Sequence, residues 1–128
     1  MSDATTNLGE LRDAVAAFVA ERDWEQFHAP KNLAMALAIE AAELMEHFQW
    51  ISAEKSRTLR GDREQLVPVG EEMADVLCYL LALANELEID LAAAFADKMR
   101  KNVAKYPAEQ YRGRYGPEDR GDAAAEDY

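Results

Sequence analysis

Two short segments carry acids at a spacing that chemistry can use. "EAAE" sets Glu40 and Glu43 three residues apart, and "EMAD" does the same for Glu72 and Asp75. If both segments are helical, each pair lies on one face, because positions i and i+3 are neighbours around the axis. Leu33, Leu37, Leu44, Phe48 and Ile51 form an apolar stripe at about 100° per residue, and Glu40 stands inside it where a Leu is expected, with Glu43 on its flank. No cation is close in sequence: Lys and Arg are absent from Asn32 through Glu54 and again from Glu64 through Asp97. Half-buried carboxylates without partners are costly, and two acidic pairs on neighbouring helices repel. A hard divalent ion removes both penalties, and clustered oxygen ligands favour Mg²⁺, or Mn²⁺, over zinc. The competing reading, acids that flank the core and face water, is the usual fate of a helical Glu. Two matched pairs in cation-free stretches weigh against it. Glu46 and Glu71 lie farther round their helices and are expected in solvent.

Other residues surround this box. Tyr79 shares a face with Glu72 and Asp75 through i, i+3 and i+7 spacing. In "DKMRKNVAKYP", Lys98, Asn102 and Lys105 share a helix face and Tyr106 follows. That face suits phosphate oxygens, although cations near a helix C-terminus also complement its dipole. Trp24 and Trp50 each stand near the end of a helical segment, suited to stacking on a base or to packing in a core or interface. His28, before "APKN", can donate to a substrate or lie exposed. His47 follows Glu43 at i+4 and reads as hydrogen-bonded scaffold near the acids. The ExxH pairs of ferritin-like di-iron bundles are missing, since position 44, three before His47, is Leu.

The elements that must position these groups are helices. The chain has 128 residues, 49% apolar and 30% charged, with six Gly and four Pro, which suits one all-α domain. Periodicity predicts a first helix from Leu8 to Arg22, a second from Lys31 to Ile51, a third from Val69–Glu71 to Leu87, and a fourth from Leu91 to Val103 with Asp90 as N-cap. The third is apolar almost all round, which predicts a central, buried helix, or one with a face covered by a partner subunit. Short links suggest an up-and-down bundle. The domain is expected over 1–110, followed by a mobile polar tail over 111–128. The formal charge of −11 argues against binding a nucleic-acid polymer, and neither a signal peptide nor a membrane span is expected. Cys78, the single cysteine, reads as a small core residue compatible with a reducing cytoplasm.

"FVAERDWEQFHAPKNLAMALAIEAAELMEHFQW" and "EEMADVLCYLLALANELEIDLAAAFADKMRKNVAKYP" together resemble the MazG-like all-α nucleoside triphosphate pyrophosphohydrolases, over about Leu11 to Pro107. The resemblance implies a four-helix bundle completed by homo-oligomerisation, dimer or tetramer, with sites built from more than one subunit. It implies that Glu40, Glu43, Glu72 and Asp75 hold Mg²⁺, that Trp24 and Trp50 line a base pocket, and that His28 and Tyr79 border the substrate. It further implies that Lys98, Asn102, Lys105 and Tyr106 face the phosphates. The implied reaction is Mg²⁺-dependent hydrolysis of a nucleoside triphosphate, dCTP or a related pyrimidine nucleotide, to monophosphate and pyrophosphate, as housecleaning of the nucleotide pool. Two departures stand out: His47 occupies a position where an aliphatic residue is expected, and the connection between the two acidic helices is short. The rival functions are a nucleotide-binding sensor without chemistry and a helical interaction protein that needs no Mg²⁺.

Overall fold

A computed structural model describes residues 1–114. Among them every regular element is helical: α1 (Leu8–Glu21), α2 (Pro30–Glu46), α3 (Ala53–Arg57), α4 (Arg63–Glu86), α5 (Leu91–Lys105) and α6 (Ala108–Tyr111), with a 3-10 turn at Glu25–Phe27. The chain divides into one unit over Met1–Ile89 and a second that begins at Asp90.

Local chemistry sets the helix ends. Asn7 Oδ1 accepts from the Glu10 amide at 3.0 Å while Glu10 Oε2 accepts from the Asn7 amide at 2.7 Å, so α1 starts on a reciprocal capping box. Pro30 opens α2 at its first position, where a missing N–H costs nothing. Asp62 caps α4 by accepting from the Gln65 amide, and Gly61, at φ +89°, turns the chain into that cap. Asp90 caps α5 by accepting from the Ala93 amide at 2.9 Å, as its position in the sequence predicts.

In the first unit α4 is the axis. It packs on α2 along much of its length and on α1 to a lesser extent. Val19 of α1, Leu33 of α2, Leu59 of the α3–α4 link, and Val69, Leu81, Ala82 and Ala84 of α4 are buried, Leu33 and Leu81 most completely at 2% exposure. Arg12 ties the far end of α4 to α1. Its guanidinium donates to Asn85 Oδ1 (2.9 Å) and to the carbonyls of Ile89 (2.6 Å) and Ala84 (3.1 Å), and Asn85 donates back to the Arg12 carbonyl (3.1 Å). A cation beside the C-terminal end of a helix is the favourable sign for its dipole.

Three sequence expectations change. α2 stops at Glu46 rather than Ile51, because the chain from His47 onward tightens into turns dominated by i to i−3 bonds, such as Phe48 N–H to the Met45 carbonyl at 3.0 Å. α4 begins at Arg63, well before Val69, and carries Pro68 inside it. The helix is also not buried all round: Met73 is 58% exposed, and Val67, Leu77, Leu80 and Leu87 are open to solvent as well. Its main packing partners are α2 and α1, and these apolar side chains remain exposed among the described residues. α6 was not expected from the sequence. The expected tail over 111–128 starts in described backbone, with Tyr111 closing α6, and residues 115–128 lie outside the described residues.

Candidate metal and nucleotide site

Packing of α2 on α4 sets "EAAE" against "EMAD". Glu40, Glu43 and Glu72 each offer one carboxylate oxygen, and the three oxygens lie within 4.8 Å of one another. Glu40 and Glu72 are half-buried and Glu43 is exposed. Among the described residues none of these acids pairs with Lys or Arg. Burial, then the hydrogen bond to Glu43, then the charges of Glu43, Asp75 and Glu72 push the Glu40 carboxyl above its ordinary value. Glu40 Oε2 and Glu72 Oε2 are both shielded from water without any hydrogen-bond partner. Buried acceptors are rarely left orphaned. Hard oxygen donors gathered this closely, two of them orphaned, fit a divalent cation of the Mg²⁺ type.

Asp75 sits one turn along α4 from Glu72. It is exposed and outside the three-oxygen group, yet its charge reaches both Glu40 and Cys78. It also lines a cavity of about 520 Å³ together with Trp24, His28 and Tyr79, a size that holds a small ligand. α1 supplies the opposite wall through Val15, Phe18 and Val19. Trp24 meets Phe18 edge to face, with ring centroids 5.7 Å apart. Asp75 thus belongs to both neighbourhoods, the acids on one side and an aromatic, largely apolar cavity on the other.

Cys78 is exposed on this cavity instead of in the core, because α4 turns that face toward the opening. Burial and the Asp75 charge push its thiol up. Val15 and Phe18 carry no sequence signal as cavity walls, because both fit the apolar periodicity of α1 as core residues would. Trp50 stands in the turns after α2, 87% exposed, and does not line the cavity. His47 does not pair with Glu43. As the C-cap of α2 it turns instead toward α4, with Nε2 3.9 Å from Glu72 Oε1. Glu46 and Glu71 are exposed.

Lys98, Asn102, Lys105 and Tyr106 belong to the second unit. Lys98, Asn102 and Lys105 are on α5 and Tyr106 caps its end, with its amide donating to the Asn102 carbonyl at 2.8 Å. Lys105 Nζ lies 5.3 Å from the centre of the Tyr106 ring, which packs edge-on against Tyr111 at 5.2 Å. Asn102 is half-buried and the other three are exposed.

Residues 35–115 match the model of the MazG-like family. The chain belongs to the MazG-like family. The matched stretch holds all four acids and the α5 residues, whereas Trp24 and His28 precede it. Relatives include dCTP pyrophosphatase 1 of Rattus norvegicus, 43% identical over 106 residues, which span 83% of this chain and 62% of that protein. The Homo sapiens dCTP pyrophosphatase 1 is 44% identical over 101 residues, 79% of this chain and 59% of that protein. The chain therefore spans roughly three-fifths of the length of these relatives. The crystal structure of a pyrophosphatase from Archaeoglobus fulgidus DSM 4304 superposes with a TM-score of 0.72 at 41% identity, covering 84% of this chain and 98% of that one. No helix among the described residues is long and apolar enough to cross a membrane.

Proposed function

We propose that this MazG-like chain hydrolyses nucleoside triphosphates, dCTP or related pyrimidine nucleotides foremost, to monophosphate and pyrophosphate, and acts on the cytoplasmic nucleotide pool. The observation that carries the reading is the group formed by Glu40, Glu43 and Glu72, with two orphaned buried oxygens, next to a cavity lined by Trp24, His28 and Tyr79. The similarity to dCTP pyrophosphatases supports the substrate class.

Glu40, Glu43, Glu72 and Asp75 hold the ion in this proposal. Bound Mg²⁺ supplies charge neutralisation for the triphosphate and acidity for water. Trp24 gives the base an aromatic face, while His28 and Tyr79 supply polar groups at its edge. Trp50, exposed on its turn, closes over the base from a second copy of the chain. Lys98, Asn102, Lys105 and Tyr106 take the phosphate oxygens, and the cations stabilise charge gathering on the departing pyrophosphate. Glu43, the most accessible of the three clustered acids, orients the attacking water and accepts its proton. The uncovered apolar face of α4, together with exposed Met35, Ile39 and Met45 of α2, supports assembly as a dimer or tetramer.

The test is incubation with each ribo- and deoxynucleoside triphosphate, with Mg²⁺ or chelator, and separation of products. Monophosphate and pyrophosphate formed only with Mg²⁺, with dCTP among the best substrates, is the expected result. A triphosphate that binds without turnover selects the sensor reading, and no binding at all selects the interaction protein.

A further inference from the structure

The two oxygens of Glu72 have different surroundings. Oε1 faces His47 Nε2 at 3.9 Å, whereas Oε2 is cut off from water and has no hydrogen-bond partner. Glu72 also gives an oxygen to the group it forms with Glu40 and Glu43. A carboxylate is planar, so restraining one oxygen fixes the direction of the other.

We infer that His47 is a positioning residue: its ring N–H restrains Glu72 Oε1 and so aims the second oxygen of that carboxylate at the cation held with Glu40 and Glu43. The inference rests on the metal reading proposed above. His47 is the C-cap of α2, and its amide donates to the Leu44 carbonyl at 3.3 Å, so the end of the helix sets where its ring begins. His47 lines an open cleft with Asp62, Glu64, Gln65 and Pro68, floored by the buried Leu59 and Val69. Among the described residues, Glu72 is the only carboxylate within ion-pair distance of it. The separation exceeds a hydrogen bond by about 1 Å, and such contacts tighten when a ligand binds. Partners that orient a metal-binding carboxylate are worth about 10–100-fold in metal affinity.

Titration of the full chain with Mn²⁺, without nucleotide, tests this through the electron paramagnetic resonance signal of the free ion. His47→Leu should weaken Mn²⁺ binding about tenfold or more, with helical circular dichroism unchanged. His47→Gln keeps an N–H donor and should recover most of the loss. Unchanged Mn²⁺ binding in His47→Leu would overturn the inference while leaving the metal site standing. Equal losses in both variants would overturn it as well, since packing rather than donation would then be at work. A wild-type chain that binds no Mn²⁺ removes the metal site itself, and the role of His47 with it.

Discussion

Glu40 is a carboxylate held against its own interests. Its neighbours and its burial raise its affinity for a proton above the ordinary value of 4.5, so without metal the folded chain binds more protons than the unfolded chain as pH climbs from there. Stability of the metal-free protein should then fall as pH rises through that window, read by thermal unfolding in chelator. Glu40→Gln should flatten the slope and unfold no earlier than wild type in chelator, while losing the stabilisation that Mg²⁺ confers. A variant that kept the Mg²⁺-induced rise would remove Glu40 from the ligand set. Cys78 gives a second check on the same field. Its thiol is pushed up by burial and by Asp75, so little thiolate is present near neutral pH and alkylation by iodoacetamide should be slow. Asp75→Asn should speed it.

At the scale of elements, the sequence displayed some features and hid others for identifiable reasons. The acids were legible because Glu40 interrupts an apolar stripe and no cation lies nearby in sequence. Asp90 was legible as a cap because a side chain that accepts an N3 amide is a local feature. The start of α4 was hidden: "SAEKSRTLRGDRE" reads as a polar connection with room for a short helical turn, and only the structure shows Asp62 capping a helix that carries Pro68. Contacts between distant segments left no trace in periodicity. Arg12, which binds Asn85 and two carbonyls at the end of α4, looks like any exposed helical Arg. Arg12→Ala should cost about 2–3 kcal/mol, measured by urea unfolding, because bonds from a charged donor are lost together. Lys at that position should recover little, lacking the planar fork that reaches three acceptors.

For the molecule as a whole, the apolar pattern of α4 allowed two readings, a central buried helix or a helix with one face covered by a partner subunit. Burial all round is not what the structure has. Apolar residues on every side predicted burial, yet among the described residues Met73, Leu77 and Leu80 are exposed. Exposed apolar surface of this kind marks an interaction site. In the proposed oligomer, Met73→Glu places a charge in the covered face, and light scattering should show its mass falling to that of one chain of 14.3 kDa. A wild-type chain already at that mass would remove the oligomer from the proposal.

The cavity and the acids share α4, where Asp75 belongs to both, but one wall of the cavity comes from elsewhere in the chain. Ala14, Val15, Phe18, Trp24 and His28 form walls that precede both acidic helices, while Glu40, Glu43 and Glu72 are fixed by the α2–α4 contact. Under the proposed function, the α1 wall can drift over generations without touching the clustered acids, while Asp75 ties the two together. A library randomised at Ala14, Val15 and Phe18 should yield chains that favour different nucleobases while their appetite for the ion stays put, so new specificities are reachable by small steps along one short helix.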